Sequence, residues 1–181
     1  MAAEFIRSLG NPSGCSRKKP TPMKHDDLWT FALTCYQQPG VEAACLELQA
    51  AGADVCLLLT GAWLECRGVA CDEARFMQLK SLSDDWRTMV VAPLRTLRQS
   101  WRQQAATDCE LAELRERVKA LELDAEHIQL QRLQSATQPW PKGSERTNWL
   151  GPLCAGLSGE KQALWETLRR VAGSQLATGG D

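Results

Sequence analysis

Between Asp26 and Gly68 the chain reads DDLWTFALTCYQQPGVEAACLELQAAGADVCLLLTGAWLECRG, three apolar helical patterns separated by PG, AG and RG. Leu28, Phe31, Ala32, Cys35 and Tyr36 recur at i, i+3, i+4, i+7 and i+8, which is one face of a helix, and Asp26 is placed to cap it. Val41, Ala44, Cys45 and Leu48 repeat the spacing after Pro39-Gly40, and the pattern stops at Gly52, a residue free to take the positive φ of a helix C-terminus. Asp54 then precedes Val55 to Cys66, where almost every residue is apolar. A helix with no polar stripe must be enclosed by others, so this stretch predicts the centre of a bundle.

Runs that alternate apolar and polar residues between turn dipeptides are nearly missing, while Leu, Ala, Glu, Gln and Arg abound. The fold class is therefore all-α, a bundle of five to six helices. With 21 basic and 22 acidic residues the net charge is −1, so no overall field draws the protein to nucleic acid or to acidic membranes. Eight cysteines are present without a CxxC pair, and Cys35, Cys45, Cys56 and Cys66 fall at core-facing positions, where they read as small apolar side chains. The N-terminus lacks the apolar core of a secretory signal, and the Val55–Leu64 run is half the length of a membrane span. These features predict a reduced, cytoplasmic protein with no membrane association.

Residues 1–24 carry Arg7, Arg17, Lys18, Lys19 and Lys24 among Gly, Ser and Pro, which predicts a disordered basic tail, with Met23 as a candidate natural start. The helical domain is expected over 25–136. After Gly68 a short helix is predicted from Asp72 to Leu82, and Ser83-Asp84-Asp85 opens another that runs to about Ala106. Trp86, Val90, Leu94, Leu97, Trp101 and Ala105 line that helix, and Pro93 inside it predicts a kink near Met89 to Pro93. Thr107 and Glu110 have capping-box spacing, and Leu111, Leu114, Val118, Leu121, Ala125 and Ile128 then follow a heptad. The short connection predicts a long antiparallel helical hairpin. A Pro/Gly-rich linker is expected over 137–158. Over 159–181 come a helix from Glu160 to Ala177, capped by Ser158 and with Leu164, Trp165, Leu168, Val171 and Ala172 on one face, and a tail.

Candidate chemistry is sparse. Cys66, Cys71, His25 and His127 lack the knuckle spacing of a zinc site, and Asp124-x-x-His127 is half of a di-iron motif, so no metal or cofactor is expected. Asp26-Asp27 and Asp84-Asp85 are paired carboxylates explained by helix capping. No Walker A loop, GxGxxG or GxSxG occurs, and two histidines supply few bases for a cysteine nucleophile. Arg95, Arg98 and Arg102 form a basic stripe that could track phosphates beside Trp101, or pair with the acidic flank Glu110, Glu113, Glu116, Glu122 and Glu126. Of the seven tryptophans, Trp140 and Trp149 lie in the Pro/Gly-rich stretch, where they either tuck back onto the bundle or dock on a partner.

The chain carries Leu28-Trp29 with Phe31-Ala32 and Tyr36, Pro39-Gly40-Val41, Asp54-Val55 with Leu57 to Leu59 and Trp63-Leu64, Trp86 with Val91-Ala92-Pro93-Leu94-Arg95, and Arg117-Val118-Lys119 with Leu121-Glu122. Over Met23 to Leu133 the chain resembles a proteobacterial family of conserved hypothetical proteins carrying domain of unknown function 2390. The resemblance brings no activity with it, and it implies a polar amide residue in relatives where this chain has Cys56.

The functional expectation is a non-enzymatic protein-interaction or accessory module, binding a protein partner or a second copy through the hairpin flank, with Arg95, Arg98, Arg102, Trp140 and Trp149 as contact residues. The alternative is a helical pocket for an apolar small molecule lined by Cys56, Thr60 and Trp63. Nucleic-acid binding through the arginine stripe ranks third.

Overall fold

The computed structural model describes residues 27–145, 147–155 and 162–177. Helices α1 (Leu28–Tyr36), α2 (Val41–Ala50) and α3 (Val55–Cys66) follow the three patterns of the opening stretch. They lead into α4 (Glu73–Trp86), a π-turn over Arg87–Val91, α5 (Ala92–Ser100), a short 3-10 turn over Gln104–Ala106 and the long α6 (Cys109–Thr137). A five-residue α7 (Leu150–Cys154) and α8 (Gln162–Ala177) complete an all-α bundle. No strand occurs among the described residues.

Helix α3 is buried from Val55 through Leu64, as its nearly all-apolar composition requires. It is enclosed by α1, α4, α6, α7 and α8, while α2 is held against α8. The basic tail, Met23, His25, Asp26, Ser158 and Glu160 lie outside the described residues, as do the side chains of Leu164 and Ala172.

Several boundaries move. Asp27, not Asp26, caps α1 by accepting from the Thr30 amide at 2.8 Å. The break expected at Ser83 does not form, because Glu73 to Ser100 is one helical run interrupted only by the π-turn. Ser83 and Asp84 have other partners: Ser83 Oγ donates to Asp54 Oδ2 at 2.8 Å, and Asp84 pairs with Lys80. The Asp84-Asp85 pair therefore caps nothing. The kink expected at Met89 to Pro93 takes the form of the π-turn, in which the Ala92 amide reaches back five residues to the Arg87 carbonyl. Pro93 offers no N–H to the turn before it, and the widened turn accommodates that loss. This helix also stops at Ser100 rather than Ala106. Asp108 displaces Thr107 as the cap of α6, accepting from the Leu111 amide at 3.0 Å.

Within the stretch expected as a linker over 137–158, several of the described residues pack onto the bundle. Trp149, Leu150 and Cys154 are core residues, and Trp140 stacks on Trp149 with ring centroids 5.7 Å apart. Gly68 makes this docking possible. It sits at φ +61, and a Cβ there would fall 2.1 Å from the Gly143 carbonyl oxygen. Gly68→Ala is expected to combine about 1–2 kcal/mol of left-handed strain with a backbone clash. The measurable result is faster amide exchange over 141–150; unchanged exchange there would show that the close approach is dispensable.

Candidate functional site

A polar seam joins α3, α4, α5 and α6 where the heptad reading placed oily residues. Along α6 the buried positions are Glu122, Leu123, Ala125, Gln129, Leu130, Leu133 and Thr137. Leu114, Leu121 and Ile128, expected in the seam, are 45, 53 and 39% exposed. The helix is rotated because charges on α5 demand partners. Arg95 Nε donates to Glu122 Oε1 at 2.8 Å and Arg98 Nε to Glu122 Oε2 at 2.6 Å, while Arg95 Nη2 reaches Glu126 at 2.7 Å. Arg115 adds a bond to the Arg98 carbonyl at 3.2 Å. Of the two roles open to the arginine stripe, pairing with the acidic flank is the one realised for Arg95 and Arg98, and Arg102 alone stays exposed.

Two turns farther along α6, Gln129 Nε2 donates to Asp54 Oδ2 at 2.8 Å and lies 2.7 Å from Ser83 Oγ. Asp54 thus ties together three helices while its other oxygen caps α3 through the Leu57 amide at 3.1 Å. Trp86 Nε1 donates to the Ala125 carbonyl at 2.9 Å, and the Arg132 guanidinium lies 3.7 Å over the Trp86 ring. No apolar periodicity reports these contacts. The only sequence trace was polar residues at heptad spacing, Arg115, Glu122 and Gln129, seven apart.

Beside the seam, Trp29, Leu33, Tyr36, Cys56, Leu123 and Glu126 bound an apolar cleft of about 30 Å³, enough for one or two waters. Burial, ahead of the opposing pull of Arg95, raises the Glu126 carboxyl above its usual range. Burial also pushes the Cys56 thiol and the Tyr36 hydroxyl well up. Cys56 is therefore a thiol, not the thiolate a nucleophile requires. Its sulfur approaches the Glu126 carbonyl at 3.9 Å, a weak contact in the position where the resemblance implies an amide. Thr60 bonds the Cys56 carbonyl at 2.8 Å deep in the core, and Trp63 is buried with Arg67 over its ring at 4.2 Å. Of the three expected ligand residues only Cys56 reaches the cleft. His127, weighed for metal, stacks on Trp29 at 4.1 Å.

Trp149 resolves toward the bundle: its indole donates to the Val69 carbonyl at 2.7 Å, and Trp140 is half-buried against it. The outward side carries residues that the apolar spacing assigns to the interior. Arg95 points to Glu126 on the side of the cleft and of α3, so the opposite side of the α5–α6 pair faces away from the bundle. There Leu114, Leu121 and Ile128, seven apart and so on one side of α6, lie exposed with Leu97 of α5 at 39%.

A family model for a protein of unknown function matches residues 27–133. The chain belongs to the domain of unknown function 2390 family. The part held in common with domain of unknown function 2390 thus starts at the cap of α1, includes the polar seam and all of α5, and stops inside α6. Trp149, α7 and α8 fall beyond it. Neither a curated protein nor a solved structure matches the chain. Among the described residues no helix is long and apolar enough to cross a membrane.

Proposed function

We propose that the protein is a non-enzymatic, cytoplasmic interaction module whose docking surface is the outward face of the α5–α6 arm, a surface suited to a helical partner. One observation carries this reading: of the seven exposed large hydrophobic side chains among the described residues, Met89, Leu97, Leu114, Leu121 and Ile128 belong to this arm and its π-turn. Clustering of that kind marks an interaction site, whereas single exposed leucines do not. The polar seam supports it, because buried ion pairs hold the two helices in one register and so present the face as a fixed relief. The cleft beside Cys56 has too little room for a metabolite without rearrangement.

The test is photo-crosslinking in cells with benzoylphenylalanine replacing Leu121, and separately Leu97. Adducts to a polypeptide are expected at both positions, and none is expected with the same residue at the exposed Ala74 of α4. Silence at positions 97 and 121 would overturn the reading. Leu121→Glu is expected to keep the wild-type far-ultraviolet circular dichroism spectrum, since the side chain is half exposed and holds no part of the fold's interior.

A further inference from the structure

We infer that the partner on the outward face is a second copy of this chain, docked antiparallel about a two-fold axis near Leu121. The inference rests on the interaction reading above and adds the identity of the occupant. Charges flanking the leucine stripe support it. Arg117 and Asp124 lie on one flank of Leu114, Leu121 and Ile128, seven residues apart, and both are exposed. Neither makes an ion pair among the described residues.

A straight helix rises about 1.5 Å per residue, so Arg117 stands about 6 Å before Leu121 and Asp124 about 4.5 Å after it. A two-fold axis at Leu121 therefore brings Arg117 of one copy within about 1.5 Å, along the axis, of Asp124 of the other, twice over. The same symmetry sets Leu114 against Ile128 and Leu121 against itself. A parallel copy finds no such match: its flank charges would have to meet the opposite flank of α6, where Arg115 is bonded to α5 and Glu122 is spent on its arginines.

The other border of the face agrees. On α5 and the π-turn, the exposed row Met89, Pro93, Leu97 and Ser100 carries no charge, so a copy laid across it buries no unpaired ion. That row also offers nothing to phosphate, which disfavours nucleic acid on this face. Two arms paired in this way make a four-helix layer in which the polar seams remain internal to each copy.

Sedimentation velocity on the full-length chain tests the inference. Wild type is expected to sediment as a dimer at micromolar concentration, and Leu121→Glu as a monomer over the same range. R117D faces each introduced aspartate with Asp124 of the other copy and is expected to weaken the dimer about tenfold, from two exposed pairs turned repulsive. R117D/D124R exchanges the two charges and restores dimerisation. A wild-type monomer up to about 100 µM, a dimer indifferent to Leu121→Glu, or a double variant as weak as R117D would each overturn the inference. Where the chain is monomeric but benzoylphenylalanine at position 121 still captures a different protein, the self-docking falls and the interaction module stands. Where neither occurs, both fall.

Discussion

Replacing Glu122 with alanine is expected to remove about 3–5 kcal/mol of folding free energy, a large fraction of the roughly 5–15 kcal/mol typical of a domain. Glu122 is 2% exposed, and each carboxylate oxygen takes one arginine: Oε1 from Arg95 and Oε2 from Arg98. Arg95 retains Glu126 after the substitution. Arg98 does not, and its buried guanidinium is left without a countercharge. Urea unfolding followed by circular dichroism will show the midpoint fall. The doubly apolar Arg98→Met, Glu122→Leu variant should lose less than Glu122→Ala, because it removes both charges instead of stranding one. A Glu122→Ala protein within about 1 kcal/mol of wild type would mean that water reaches the seam.

Trp149→Ala carries the second large effect, about 3–5 kcal/mol from lost burial and the cavity left behind. The side chain is 1% exposed, and around it Glu65 acts as a latch. One Glu65 oxygen accepts from the amides of Trp149 and Leu150 at 2.8 and 2.9 Å, and Arg169 of α8 grips the carboxylate at 3.0 and 2.9 Å. Loss of the indole should therefore loosen α7 and α8 together, and Glu65→Ala should reproduce that loosening with Trp149 intact. Limited proteolysis will read it as early cleavage between Trp140 and Trp149. A fragment ending at Leu133 that melts with the full chain would count against this account, since it would show that α3 needs no cover from beyond the family match.

These two sites also mark where the sequence was legible and where it was not. Leu28, Phe31 and Cys35 of α1 and the nearly all-apolar run of α3 report their burial directly, because a face made of carbon side chains has few alternatives to the core. The same rule misplaced the seam of α6. The heptad placed Ala125 correctly, but Glu122 and Gln129 take the buried places expected for Leu121 and Ile128, and their partners sit 24 and 46 residues away in Arg98 and Ser83. A burial that depends on a distant partner leaves no local periodicity. Ser83 failed for the same reason, read as a cap when its hydroxyl serves Asp54, 29 residues back.

Composition and spacing by themselves determined an all-α chain, the three opening helices with their turns at Gly40 and Gly52, the enclosure of α3 and the irregular turn before Pro93, because each follows from the covalent and apolar character of residues close in the chain. Tertiary structure alone decided which face of α6 turns inward, that Arg95 and Arg98 are spent on Glu122 and Glu126, and that Trp149 closes the core. Those outcomes are set by pairing energies between groups far apart in sequence, and a charge or an indole finds its partner only when the folded chain brings the two together.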